Sequence, residues 1–509
     1  MDKKWWTLLA VCAGTFMLLL DVTIVTVAQP EIQRGLHASF TDVQWVVDAY
    51  ALTLAALLLT SGVLADRFGR KLLFAIGLAV FTAGSLLCGL AQDPLLLVVS
   101  RSGQGVGGAI MFSVSLALLG HSFQGRERGT AFGAWGAIAG VATALGPVLG
   151  GVIVSGWSWR GIFLVNVPVG VAALAVTAWR VEESRSSHAS RLDWAGFGLF
   201  TGGLVSLVYG LIRAGEYAWS DTGVIACLAL GGAALVAFIA VEHRVTDPMF
   251  DVALLRKPAF AGASIAAFAM NGSLYALLLY LVLYLQDMLG YSALQAGLRL
   301  AIISAAQFVT ATLAGRFSHR VPARWLIGPG LLLVGIGLLV MIGLNGVSSW
   351  THLLPGFVVA GLGAGLVNPP LASVAISVVP PPRAGMASGI NSTFRQVGIA
   401  TGIAALGSVF SVAVRRNLVA HLPAPEAARV FQGVRHGGSA AGGPAAVALR
   451  SAFAAGLNDL MIVTGAVALA GAVCAVLLIR DSRSAGLERP DRAADPGRQE
   501  QYAGRAAER

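Results

Sequence analysis

Gly62-Val63-Leu64-Ala65-Asp66-Arg67-Phe68-Gly69-Arg70-Lys71 is the stretch that decides the fold. It sets one acid, three bases and two glycines between two long apolar runs, 43–64 and 72–91. A charge cluster between two runs of membrane-spanning length must be a tight loop at a water interface. Its glycines suit a turn that draws two helices together.

The same pattern recurs along the chain. Of 509 residues, 56% are hydrophobic and only 12% charged, with a mean hydropathy of +0.76. A soluble protein carries about 25% charged residues, so this surface is not built for water. Runs of about 20 apolar residues recur, too long and too uniform for barrel strands, which leaves helices as the spanning element. The expected fold class is an all-α integral membrane protein. About fourteen transmembrane helices are read, from 6–28 and 44–64 to 386–413 and 456–479. The first run resembles a secretory signal, but Asp21 interrupts it and apolar character resumes to Ala28, so a retained span is expected.

The net charge of +10 does not imply a nucleic-acid partner, because the bases sit in loops between spans. Lys3, Lys4, Arg67, Arg70, Lys71, Arg126 and Arg128 fall on the richer side. By the positive-inside rule both termini are expected in the cytoplasm, for a multi-pass protein of the inner (plasma) membrane. The basic 414–455 segment, an exception on the other side, reads as a Gly/Ala-rich loop, and the 480–509 tail as disordered. Cys12, Cys88, Cys227 and Cys474 all lie inside apolar runs without a CxxC pair, so neither a disulfide nor a metal site is expected. No GxxxxGK[ST] loop or HExxH set is present, which disfavours an ATP-driven pump and an enzyme, and no catalytic residue is assigned.

Three ionisable residues interrupt the first-half spans: Asp21, Asp48 and Arg101. A charge at the bilayer centre costs at least about 2.5–3.5 kcal/mol, so such residues are functional candidates. Counted at about 1.5 Å per residue from the span ends, all three fall at comparable depth and could share one polar pocket. Burial and a neighbouring arginine pull a carboxyl's hold on its proton in opposite directions, which suits proton exchange. A static ion pair is the alternative. Arg299 and Arg395 are the embedded bases of the second half, and Asn391 and Arg395 share a helix face.

Several motifs, in order, resemble the fourteen-span drug:proton antiporter branch of the major facilitator superfamily. The Gly62–Lys71 loop resembles the superfamily's signature between its second and third helices. Leu20-Asp21-Val22-Thr23-Ile24-Val25, Trp45-Val46-Val47-Asp48-Ala49-Tyr50 and Arg101-Ser102-Gly103-Gln104-Gly105 are similar to the first-, second- and fourth-span motifs. Gly136, Gly140, Gly146-Pro147 and Gly150-Gly151 resemble the fifth-span antiporter motif. Trp157-Ser158-Trp159-Arg160, Phe163-Leu164-Val165-Asn166-Val167-Pro168 and Asn391-Ser392-Thr393-Phe394-Arg395-Gln396 complete the set. The sequence departs from the branch at Thr26, at Gln29-Pro30 and at Gly161.

The resemblance implies a major facilitator fold of two six-helix bundles, 1–180 and 259–479, with two inserted helices in 181–258. A weak internal repeat agrees: 315–324 aligns with Gly62–Lys71, with His319 standing where Asp66 stands. It further implies a proton-coupled antiporter that exports hydrophobic or cationic small molecules, such as drugs and antibiotics. Partners are then protons, the bilayer and a small-molecule substrate; the proton gradient drives it without a cofactor, and it acts as a monomer. Asp21, Asp48 and Arg101 would couple protons. Gly62, Asp66, Arg67, Gly69, Arg70, Lys71 and Arg128 would form a cytoplasmic gate latch. Gly136/Gly140 and Gly146/Gly150 have the GxxxG spacing of tight helix packing, and Pro147 can bend its helix. Phe16, Trp45, Tyr50, Phe112, Trp135, Tyr275, Asn391 and Arg395 are candidates for the substrate cavity, with ordinary core packing as the alternative for each aromatic. A narrow-specificity lipid or natural-product export permease and a non-transporting membrane sensor remain open at this point.

Overall fold

The computed structural model describes residues 2–123, 125–185, 193–217, 219–245, 248, 250–317, 321–379, 384–435 and 443–479. Long helices fill it: α1 Lys3–Leu36, α2 Phe40–Phe68, α3 Arg70–Leu90, α4 Pro94–Ser122, α5 Gly125–Gly156 and α6 Gly161–Arg180. The pair α7 Trp194–Glu216 and α8 Thr222–Glu242 follows. Then come α9 Pro258–Met288, α10 Ala293–Phe317, α11 Arg324–Val340, α12 Leu354–Ser377, α13 Ala384–His421, α14 Ala424–Arg435 and α15 Gly443–Leu478. Thirteen of the described helices are long and apolar enough to cross a membrane, and α11 is a shorter apolar helix beside them. Together they match the expected all-α membrane architecture.

The helices start where the sequence supplies caps. Ser39 and Asp42 form a reciprocal capping box at α2, with the Ser39 backbone N–H 2.8 Å from the Asp42 carboxylate. Asp93 precedes Pro94 and accepts from the Leu96 N–H, so α4 begins with an acceptor and a residue that lacks an N–H to lose.

α1 to α6 pack as one bundle and α9 to α13 with α15 as a second, in which α11 and α15 lie outermost. The bundles meet through α5 with α10, α2 with α13 and α1 with α9. The α5–α10 and α1–α9 contacts lie toward one end of the helices, here termed the far end, while α2 and α13 also meet toward the other, where Gly389 faces Leu59; that opposite, terminal end carries Lys3 and the Gly62–Lys71 loop. At the far end Arg34 pairs with Asp287 at 3.0 Å, and Gln286 donates to the Val27 carbonyl at 2.8 Å. Gln44 donates to the Ile403 carbonyl and to the Tyr280 hydroxyl, both at 3.2 Å. Gly297 lies so close to the Pro147 carbonyl that any Cβ there would overlap it, and Gly151 is equally tight against Leu294. The Pro147-to-Gly151 stretch thus acts as the seat for the start of α10.

Gly136 and Gly140 correct an expectation. A Cβ at either would meet nothing within 4 Å. They are not a packing pair: the face of α5 that carries them meets no neighbouring helix, although Trp135 beside them is bonded to Thr15 of α1. Gly146 and Gly150 do pack tightly, against Thr23 and Ile24 of α1.

The 414–455 segment is also corrected. α13 continues to His421, α14 follows almost at once, and α15 already begins at Gly443. Arg416 pairs with Asp459 across α13 and α15 at 3.0 Å, so the bases there decorate helix ends. Alanine-rich stretches favour helix over loop once a neighbouring helix covers their apolar side. His319, the 480–509 tail and the side chain of Arg128 lie outside the described residues.

α7 and α8 pack on each other, and α7 spans the seam between α2 and α13. Thr41 donates to Glu216 at 2.7 Å, and Trp45 faces Tyr209 with ring centroids 6.3 Å apart. Trp45 therefore faces the inserted pair and not the space between the bundles. A ladder of rings, Phe200, Phe238, Phe250 and Phe394, links the same pair to α13 at centroid distances of 5.1, 5.8 and 6.4 Å.

Candidate functional site: a buried ion pair, an unpartnered acid and a charged turn

α1 and α4 bring Asp21 and Arg101 together in the middle of the first bundle. Arg101 Nη1 donates to Asp21 Oδ2 at 2.5 Å, with 1% and 0% of the two side chains exposed. The same Nη1 reaches Gln104 Oε1 at 2.8 Å, and Nε donates to the Val46 carbonyl at 3.0 Å. The other carboxylate oxygen, Asp21 Oδ1, accepts from Gln104 Nε2 and from Asn166 Nδ2, each at 3.3 Å. Gln104 is itself held by Ser85 at 2.7 Å and by the Cys88 thiol at 3.2 Å. The Tyr50 ring covers the guanidinium, its centroid 4.3 Å from Cζ. Both charges are therefore paired and further hydrogen-bonded, which is the condition under which a buried ion pair is tolerated.

Asp48 does not join them. It is fully buried on α2, and neither carboxylate oxygen has a hydrogen-bond partner among the described residues. The expected three-residue pocket is thus two sites. The reason is helical phase: Tyr50 and the Val46 carbonyl face Arg101, while Gln44, one turn before Asp48, faces Tyr280 and Ile403 of the second bundle. Asp48 belongs to the seam side of α2.

The charged turn is built around Gly69. Its φ of +122° lies in the region glycine favours, and a Cβ there would sit 2.7 Å from the Glu183 carboxylate. Glu183 accepts from the Lys71 and Leu72 backbone N–H groups at 3.0 and 3.1 Å, so it caps the N-terminus of α3 from the segment after α6. The Arg70 N–H reaches the Ser184 carbonyl at 2.9 Å, and Lys71 Nζ the Ala178 carbonyl at 2.9 Å. Of the partners open to Asp66, the fold selects Arg70, at 2.7 Å, on the next helix. Arg67 stacks on Phe68, with Cζ 5.6 Å from the ring centroid. Glu127 pairs with Lys4 at 2.9 Å. Gly62 meets no close neighbour.

The remaining cavity candidates divide. Trp135 donates to Thr15 Oγ1 at 2.8 Å and lies 6.2 Å from the Phe112 ring, joining α5, α1 and α4; Phe16 is the next residue on α1. Tyr50 is buried as the cover of Arg101. In the second bundle Tyr275 donates to Gln307 at 3.1 Å, and Arg395 to Asn368 at 3.2 Å. Asn391 is buried and donates weakly to the Ala263 carbonyl at 3.4 Å. Arg299 is partly buried toward the far end, where it stacks on Tyr291 and Trp350 at 3.7 and 4.9 Å.

Sequence reasoning missed the polar uncharged partners. Gln104 sits one turn after Arg101, and Asn166 stands in the quoted Phe163–Pro168 motif, so both had a readable signal. It also missed two π-helical turns in α9, Asn271–Tyr275 and Tyr284–Met288. The first ends on Tyr275; the second carries Gln286 and Asp287 to α1. Such turns occur often at functional positions.

Two bundles of membrane-spanning helices, tied together at the far end and burying an ion pair inside the first, have the architecture of a membrane transporter. The chain belongs to the Major Facilitator Superfamily, whose profile matches residues 11–403. It is 38% identical over 417 residues, 82% of this chain and 78% of the other, to the multidrug resistance protein Stp of Mycobacterium tuberculosis. It is 36% identical over 440 residues to the puromycin resistance protein pur8 of Streptomyces alboniger, covering 86% and 87% of the two chains. To the tetracenomycin C resistance and export protein of Streptomyces glaucescens it is 33% identical over 491 residues, covering 93% and 91%. Among solved structures it superposes on a bacterial homologue of the human lysosomal transporter Spinster, inward-facing and occupied. That match has a TM-score of 0.66 at 18% identity and covers 92% and 96% of the two chains.

Proposed function

We propose that this transporter is a proton-coupled antiporter that exports hydrophobic or cationic small molecules, drugs and antibiotics among them, across the inner (plasma) membrane. It works as a single chain by alternating access, both termini lie in the cytoplasm, and the proton gradient is its only energy source. The observation that carries this reading is the contrast between Asp21, paired and fully hydrogen-bonded, and Asp48, buried without a partner. An ionised carboxylate without partners in an apolar interior is costly, which makes Asp48 the side chain suited to take up and release the transported proton.

The seam explains how that proton is exchanged. Gln44, one turn away, ties α2 to Tyr280 and Ile403 of the second bundle. Opening the far end breaks those bonds and wets Asp48, which loads a proton from outside. Closure carries it across, and substrate entering from the cytoplasmic side displaces it. An inward proton under about 100 mV contributes roughly 2.3 kcal/mol before any pH gradient. The Asp21–Arg101 pair keeps α1 and α4 together while the bundles rock. The names of the relatives, which concern drug and antibiotic resistance, support export. The test is drug accumulation in everted vesicles: an uncoupler abolishes it on this reading, and accumulation unchanged by an uncoupler refutes proton drive.

A further inference from the structure

We propose that Arg395 is a binding site for an anionic oxygen of the transported compound, so that the substrates include flat apolar acids such as aromatic carboxylates. The proposal rests on the exporter reading only for the route by which the compound arrives. Arg395 stands on α13 inside the second bundle, and its one hydrogen bond among the described residues goes to Asn368. No carboxylate lies within ion-pair distance of it among those residues. The acids of the second-bundle spans are engaged elsewhere, Asp287 by Arg34 and Asp459 by Arg416, both near the far end. The contrast with Arg101, whose counter-ion is Asp21 on a neighbouring helix, is direct.

Its surroundings suit an anion. A guanidinium offers five N–H donors in a fork that fits a carboxylate, and only one bond is used here. Gln307 accepts from Tyr275 through Oε1, which leaves its amide N–H groups available as donors. Tyr275, Gln307, Asn368 and Arg395 are each only partly buried, while α11 and α15 cover the outer side of the bundle. The cluster therefore opens toward the space between the bundles. In the first bundle Phe112 and Trp135 are partly exposed and form an aromatic pair 6.2 Å apart, of a kind suited to a flat ring. A cation held without a counter-ion among the described residues is a site that an acid completes.

The test uses the purified full chain and two probes that differ in one charge, anthracene-9-carboxylate and its methyl ester. Binding is measured by thermal shift in gluconate buffer, and export of both probes in proteoliposomes. The wild-type chain is expected to bind the carboxylate at least about tenfold more tightly than the ester. In Arg395→Gln that ratio falls toward one; in Arg395→Lys, which keeps the charge, a preference remains. A Gln307→Leu chain, whose backbone contacts are untouched, shows a reduced ratio. A wild-type ratio near one, or an unchanged ratio in Arg395→Gln or Gln307→Leu, overturns the proposal. A carboxylate preference in binding with no export of either probe supports the site and refutes the exporter reading instead.

Discussion

Arg101 and Asp21 meet at 2.5 Å with neither side chain in reach of solvent, and four further polar groups hold the pair: Gln104, Asn166, the Val46 carbonyl and, through Gln104, Ser85. Breaking one side of such a pair leaves a buried charge. Asp21→Ala and Arg101→Ala are each expected to cost about 3–5 kcal/mol. Asp21→Asn keeps an oxygen for Arg101 and should stay folded, yet lose export. Thermal unfolding in detergent, read beside drug efflux from cells, checks both; wild-type efflux by Asp21→Asn would show that transport does not need the ion pair.

Asp48 predicts the opposite stability pattern. Since neither carboxylate oxygen has a hydrogen-bond partner among the described residues, Asp48→Asn removes no hydrogen bond that the structure shows. The change should alter the free energy of unfolding by no more than about 1 kcal/mol. A stability loss as large as that of Asp21→Ala would mean that Asp48 is ionised and paired in the resting protein.

The charged turn should fail through its backbone. Gly69→Ala forces a side chain into a φ of +122° and against the Glu183 carboxylate. The cost is expected to be at least about 1–2 kcal/mol, with loss of transport. Glu183→Gln keeps one acceptor for the α3 N–H groups and should cost less, about 0.3–1 kcal/mol. Comparing the two in one unfolding series separates the strain at Gly69 from the loss of the helix cap.

The far-end latch is weak by design of its setting. Arg34 is about half exposed, and surface pairs contribute about 0.2–1 kcal/mol, so Arg34→Ala should shift the balance between closed and open far ends by several-fold at most. Distance measurements between spin labels on α1 and α9 would show this as a larger open fraction. A Gly297→Val chain should do far more, because its side chain cannot coexist with the Pro147 carbonyl when α5 and α10 are closed.

Much of the machine was legible in residue type alone. Asp21 and Arg101 stand out because a charge inside an apolar run has few innocent explanations, and simple depth arithmetic placed them side by side. That arithmetic could not separate Asp48 from them, since depth says nothing of which way a helix face turns. Phase decided it, through Val46 and Tyr50 on one face and Gln44 on the other. Glu183 was hidden for a different reason: it lies more than a hundred residues from the turn that it caps, and no local pattern announces such a partner. Gly136 and Gly140 show the limit of spacing rules, for the same GxxxG interval that packs Gly146 on α1 faces open space one stretch earlier.

The most direct test of proton coupling at Asp48 is a proteoliposome assay that records internal pH when an exported drug is added, with wild-type and Asp48→Asn chains reconstituted side by side. The account predicts that the drug triggers proton movement through the wild-type chain and none through Asp48→Asn, while the mutant stays as stable as the parent. Equal drug-triggered proton flux in the two chains would contradict it.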